Sequence, residues 1–161
     1  MIKRFAGPLL LALVLGAAAH AAIVFYAPSV IMDRAYTMIG ERGTPVHGFQ
    51  LGPQMRPDTQ SVVRPSPDLA YSGCRYDLAL APDGVRVRMA AFDGYSSLSF
   101  FDAQTNNFLT LRGDGEVREV TLTRENSPSE RGIILIRRLA PTDADYARVE
   151  QIVVNDECEA L

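Results

Sequence analysis

Past residue 26 the chain holds a single histidine, His47, and two cysteines, Cys74 and Cys158. Metal sites built on His and Cys draw three or four ligands, a number this set cannot reach without carboxylates, so no metal and no cofactor are expected. His47 would serve as the base of a serine hydrolase, but no G-x-S-x-G elbow accompanies it; the expectation is a surface or strand-edge histidine. Arg112-Gly113-Asp114-Gly115 lacks the lysine and the strand–loop–helix setting of a phosphate loop. Its Arg-Gly-Asp string is what a polar turn contains by chance.

Polar residues cluster in two places, Arg64-Pro65-Ser66-Pro67-Asp68 leading into Tyr71-Ser72, and Asp102 followed by Thr105-Asn106-Asn107-Phe108. If the two segments border each other, Arg64, Asp68, Tyr71, Asp102 and Asn107 line one polar pocket, suited to a small ligand or a reaction. The competing reading keeps Asp68 and Asn107 as turn residues bonding nearby backbone, the commoner use of both types. For the cysteines, an oxidising compartment implies one disulfide pinning the tail to the sheet, a closure contributing on the order of 3–5 kcal/mol. The alternative is two separate thiols, Cys74 buried and Cys158 exposed.

The elements that would position these residues follow from periodicity. Val30, Ile31, Ala35, Met38 and Ile39 recur at three- and four-residue spacing, which predicts a helix over 28–45 that Gly43 and Pro45 end. Val46–Leu51 reads as a short strand. The prolines at 53, 57, 65 and 67 then require an extended surface run. Strands are predicted at Tyr71–Leu78, Val85–Met89, Tyr95–Asp102, Phe108–Leu111, Val117–Thr123 and Ile133–Leu139, with a hairpin connection across Arg112–Gly115. Thr142 and Asp145 form an approximate capping box for a closing helix whose apolar face is Tyr146, Val149, Ile152 and Val153. The fold class is therefore α+β and mainly β: an N-terminal membrane helix, an antiparallel sandwich or partly open barrel, and a C-terminal helix.

Location is the most legible property. Phe5–Tyr26 contains no charged residue over 22 positions, about enough helix to cross the roughly 30 Å hydrocarbon core. Lys3 and Arg4 keep the N-terminus cytoplasmic, so everything after Tyr26 lies on the far side. Ala19-His20-Ala21 also fits a signal peptidase site, the alternative in which residues 1–27 hold a signal segment rather than an anchor and the cut leaves an apolar new N-terminus. Apolarity continuing past that site favours the anchor. His20 is a single neutral imidazole, cheap in a membrane helix and without a functional partner in view. With Lys3 and Arg4 set aside, 14 basic residues face 19 acidic ones, a net charge of −5 in residues 46–161 and the helix before them. Such a domain repels phosphate backbones, which excludes nucleic acid as a partner. Lys3 is the only lysine, a skew of genome composition that lends no weight to any single arginine.

Val62-Val63-Arg64-Pro65-Ser66-Pro67-Asp68-Leu69-Ala70-Tyr71-Ser72 with Tyr76-Asp77-Leu78 resembles the hallmark region of the family called domain of unknown function 1254. Gly94-Tyr95-Ser96 and Asp102–Phe108 are similar to its second hallmark. Typical members carry asparagine where Ser66 stands and threonine where Leu69 stands. The resemblance implies a mainly β domain with no established reaction. It also implies a short, membrane-anchored branch that lacks the second, 1214-type domain of large members, so that a companion chain supplies it. The expected function is thus a single-pass inner-membrane protein whose periplasmic domain binds a partner protein. The alternative is an envelope enzyme or small-ligand binder using the polar pocket.

Overall fold

A computed structural model of the chain describes residues 2–56 and 65–161. Helix α1 (Ile2–Glu41) is followed by strands β1 (Gln50–Leu51), β2 (Leu69–Asp77), β3 (Val85–Met89), β4 (Ser96–Phe101), β5 (Asn107–Arg112), β6 (Arg118–Leu122) and β7 (Arg131–Leu139). Helix α2 (Asp143–Ile152), one 3₁₀ turn (Val153–Asn155) and strand β8 (Glu157–Ala160) complete the order. The apolar stretch and the amphipathic stretch after Pro28 are one continuous helix of 40 residues. It ends in a Schellman motif: Gly43 takes φ +100°, its N–H bonds Gly40 O at 2.9 Å, and Thr44 N bonds Ile39 O at 3.2 Å. Glycine accepts that left-handed turn without a Cβ penalty.

Two antiparallel sheets form, one of five strands in the order β1-β2-β7-β4-β5 and one of three in the order β6-β3-β8. Strand β7 is central because its core-facing and outward residues are both largely apolar. β2 pairs along its whole length with β7, from Leu69↔Leu139 to Asp77↔Arg131. Alternation then sorts the side chains: Ala70, Ser72, Cys74 and Tyr76 of β2 are buried, while the residues between them are partly exposed. Both sheets contribute to one core, with Tyr76, Val87, Met89, Leu98, Phe100, Leu122, Ile134 and Ile136 among its fully covered side chains. Helix α2, capped by Thr142 Oγ1 accepting from Asp145 N at 3.1 Å, covers one end through Val149, which packs with Ala70, Phe92 and Ala140. The disulfide Cys74–Cys158 joins β2 of one sheet to β8 of the other across 84 residues.

Three expectations at the level of elements are corrected. The chain does not make a hairpin across Arg112–Gly115: β5 pairs with β4, and β6 pairs with β3 in the other sheet. Each strand finds its cross-strand partner elsewhere, so the connection turns the corner between sheets. Gly113 makes the corner possible, since a Cβ there would lie 1.8 Å from Ser96 Oγ. The strand expected over Val46–Leu51 shortens to Gln50–Leu51 plus a single bridge from Val46 to Arg75. Cys158 lies in a strand, β8, rather than in a tail.

Candidate functional site

The register decides which hallmark residues can meet. Asp68 directly precedes β2, and its carbonyl accepts from Ala140 N at 2.8 Å. Asp102 directly follows β4, whose last residue Phe101 is level with Ile133 of β7. From Ala140 to Gly132 is eight residues of β7, about 26 Å at the strand rise. Asp68 and Tyr71 therefore belong to one end of the five-stranded sheet, and Asp102 and Asn107 to the other. They do not line one pocket. Arg64 lies outside the described residues.

Each of these side chains serves its own end. Tyr71 OH accepts from Ser66 N at 2.9 Å. Asp102, nearly buried, accepts from Gln104 N and Asn106 N through Oδ1, both at 2.8 Å, and from Asn106 Nδ2 through Oδ2 at 2.9 Å. That is an Asx-type turn, and it lets Thr105 adopt φ +66°. Asn107 accepts from Thr110 Oγ1 at 3.0 Å. Among the described residues, no group of three or more His, Cys, Asp or Glu side chains is placed to hold a metal ion.

A different constellation gathers where α1 meets the sheet, at the Asp102 end. Amphipathic spacing turns Met32, Asp33, Tyr36 and Gly40 toward the domain, and Met32 is buried there. Arg131 Nη2 donates to Asp33 Oδ1 at 2.7 Å. The Tyr36 ring carries two guanidinium groups, Arg75 at 5.0 Å and Arg131 at 5.8 Å from its centroid. Arg75 also donates from Nε (3.0 Å) and Nη2 (2.7 Å) to Thr44 O, one of the carbonyls just past the helix end. The next segment continues the attachment: His47, at φ +57°, donates its backbone N–H to Arg75 O at 2.9 Å. Its Nε2 sits 3.0 Å from Asp77 O and 3.1 Å from Asp77 N. A small cleft of about 80 Å³ remains between Ser29, Met32 and Tyr36 on the helix and Ala103, Arg131 and Gly132 on the sheet. Ala103 belongs to the second hallmark segment, so that segment abuts the helix.

What this junction does is mechanical. It fixes the direction in which the helix leaves the domain, using charge-assisted bonds and stacking rather than a large apolar contact. Upstream of it, Phe5, Leu9 to Leu11, Leu13 to Leu15 and Ile23 to Tyr26 are all more than half exposed, and nothing among the described residues covers them. This helix is long and apolar enough to cross a membrane by length and composition.

Sequence reasoning missed the most buried charges. Arg138 on β7 and Asp156 before β8 are 1% and 0% exposed and share two 2.7 Å bonds. Arg138 Nη2 also donates to Ala90 O at 3.2 Å, Asp156 Oδ1 accepts from Ala90 N at 2.9 Å, and Phe92 lies 5.8 Å under the guanidinium. The available signal was the pair Arg137-Arg138: consecutive residues of a strand face opposite ways, so one arginine of a central strand had to point into the core.

Comparison with known proteins adds three findings. The model of a family described as protein of unknown function (DUF1254) matches residues 48–158. The fold is similar to the crystal structure of the VPA0106 protein from Vibrio parahaemolyticus, with 15% identity and a TM-score of 0.61. That likeness covers 88% of this chain but 37% of the other, so the chain spans little more than a third of that protein's length. No curated protein matches.

Proposed function

This chain belongs to the DUF1254 family, and from that premise we propose that it is a single-pass inner-membrane protein whose periplasmic domain binds a partner protein. One observation carries the anchor in this proposal: 22 uncharged residues, exposed along their whole length, run without a break into a helix end that the domain clamps. Exposed apolar surface of that extent is stable in lipid and not in water. Lys3 and Arg4 orient the N-terminus to the cytoplasm by the positive-inside rule. The disulfide Cys74–Cys158 accords with an oxidising compartment on the other side.

The partner proposed is a companion protein carrying a 1214-type domain. The Vibrio protein carries a good deal more chain beyond the part that this fold resembles. A pocket between the two hallmark segments is not favoured, since about 26 Å of strand separates their ends. The test is affinity purification of the tagged, full-length protein from its native membrane. A stoichiometric companion is the expected result; a chain that purifies alone under gentle detergent conditions refutes the binding reading. Extraction of the chain by alkaline carbonate would refute the anchor.

A further inference from the structure

We propose that the outer face of the five-stranded sheet carries a carboxylate-binding site for the partner protein, in the cross-strand row Tyr71–Arg137–Ser97–Arg112. The inference rests on the partner-binding reading above and names its surface. The row is set by register: Tyr71 pairs with Arg137, Arg137 with Ser97, and Ser97 with Arg112. All four side chains point away from the core, because their neighbours Ser72, Ile136, Arg138, Leu98 and Leu111 take the inner face. Two guanidinium-bearing residues thus flank one serine, their Cα atoms roughly 10 Å apart across two strand spacings.

Neither Arg112 nor Arg137 has a carboxylate partner, a state they share with Arg34 and Arg75 but not with most of the described arginines. Among the described residues, eight arginines have a carboxylate within ion-pair reach: Arg56, Arg86, Arg88, Arg118, Arg124, Arg131, Arg138 and Arg148. Among the described residues none reaches Arg112 or Arg137. Arg137 is nevertheless held, with Nη1 donating to Ser99 Oγ at 3.3 Å and the guanidinium 6.0 Å from the Phe101 centroid. Ser97 is 2% exposed, and its hydroxyl has no hydrogen-bond partner. At that depth the hydroxyl is out of reach of an incoming group, so anchoring falls to the two arginines. Ser99 is satisfied by Thr110 Oγ1 at 3.2 Å as well as by Arg137. Two guanidinium groups free of carboxylates on one sheet face suit an anion with planar oxygens, the geometry of a carboxylate.

The surroundings choose a protein as the source of that carboxylate. In the adjoining row Leu139 and Tyr95 are 42% and 46% exposed, and Leu139 N bonds Tyr95 O at 2.9 Å. Apolar and aromatic side chains beside an arginine pair form the usual centre of a protein interface. A segment with Asp or Glu flanked by apolar residues would therefore seat here, its carboxylate between the arginines and its apolar part on Tyr95 and Leu139.

The experiment uses the full-length chain in its native membrane, with a photo-crosslinking phenylalanine analogue introduced at Leu139 and, as a control on another loop, at Leu80. The expected result is a partner adduct from position 139 alone, mapped by mass spectrometry to an acidic peptide. Charge reversal by Arg112→Glu with Arg137→Glu should lower recovery of the companion on the order of tenfold or more, the scale for breaking a desolvated charge pair. Reversing the mapped acid of the companion to arginine should restore it. Arg112→Glu alone, at an exposed position, reports on the site should the double variant fold poorly, and it should weaken recovery in the same direction. A companion recovered undiminished by both variants overturns the site and leaves the binding reading standing. An adduct of the chain with itself, or no companion with the wild-type chain, overturns the site; the second outcome also removes the reading beneath it.

Discussion

Arg138 and Asp156 meet at a depth where neither retains solvent, and removing one leaves the other charged and alone. Asp156→Ala should destabilise the domain by about 3–5 kcal/mol in urea denaturation, the usual cost of stranding a buried charge. Replacing both, Arg138→Met with Asp156→Leu, should recover only part of that loss: the charge penalty goes, but Ala90 N–H and C=O lose the partners they have in this pair. Tyr76 gives the residue scale its pH dependence. Burial pushes its phenol above the ordinary tyrosine value, only partly offset by bonds from Ser127 and Ser129. The folded state holds that proton more tightly than the unfolded chain. The resulting stability is complete below about pH 10 and is lost as pH rises through the folded value. Tyr76→Phe should flatten the alkaline limb of a stability profile measured from pH 8 to 11, and an unchanged slope would count against this assignment. None of these partnerships could be read from local pattern. Arg138 and Asp156 belong to different elements, and Asp102, read as a pocket residue, spends both oxygens on its own turn.

Among the elements, α1 is joined to the sheet through side chains that tolerate no intruder at Gly40. A Cβ there would stand 2.3 Å from Arg75 Nη1. Gly40→Val should swing Arg75 away from Thr44 O and from Tyr36. Losing charge-assisted bonds of that kind costs about 1.5–3 kcal/mol, and residues 42–49 should become open to added protease. Unaltered cleavage and stability would show that the clamp carries no energy. Several elements were legible because their periodicity is strong: β3 runs from Val85 to Met89 as the valine–arginine alternation requires, and Thr142 caps α2. β8 was not legible, since in Glu157–Ala160 only Cys158 faces the core and one inward side chain makes no pattern. The sheet change between β5 and β6 was hidden for another reason. Turn chemistry reports that a chain reverses, and it does not report which strand lies beside it afterwards.

For the whole molecule, a rise of about 1.5 Å per residue puts Asp33 roughly 10 Å beyond Tyr26 along α1. On the proposed topology the Asp102 end of the sheet therefore sits close to the lipid surface, while the Asp68 end and α2 face away from it. The fold class and the apolar helix could be read from composition and period alone. The separation of the two hallmark segments could not, because register is settled by pairings between residues more than 30 positions apart, such as Ser97 with Arg137. The Cys74–Cys158 bond ties the two sheets together across the core they share. Cys74→Ser with Cys158→Ser should lower stability by about 3–5 kcal/mol, the chain-entropy value for a loop of this size. The wild-type chain should gain two mass units on reduction, and equal masses would refute the bond. The same bond imposes a schedule. A chain threaded outward from its N-terminus delivers Cys74 long before its mate, with 84 positions between them. On the proposed topology, Cys74 would be a lone thiol among oxidants throughout that interval, its proper strand neighbours still inside the cell. Speed of export thus competes with mispairing, and slowing translocation should raise the share of molecules joined wrongly to another protein through Cys74.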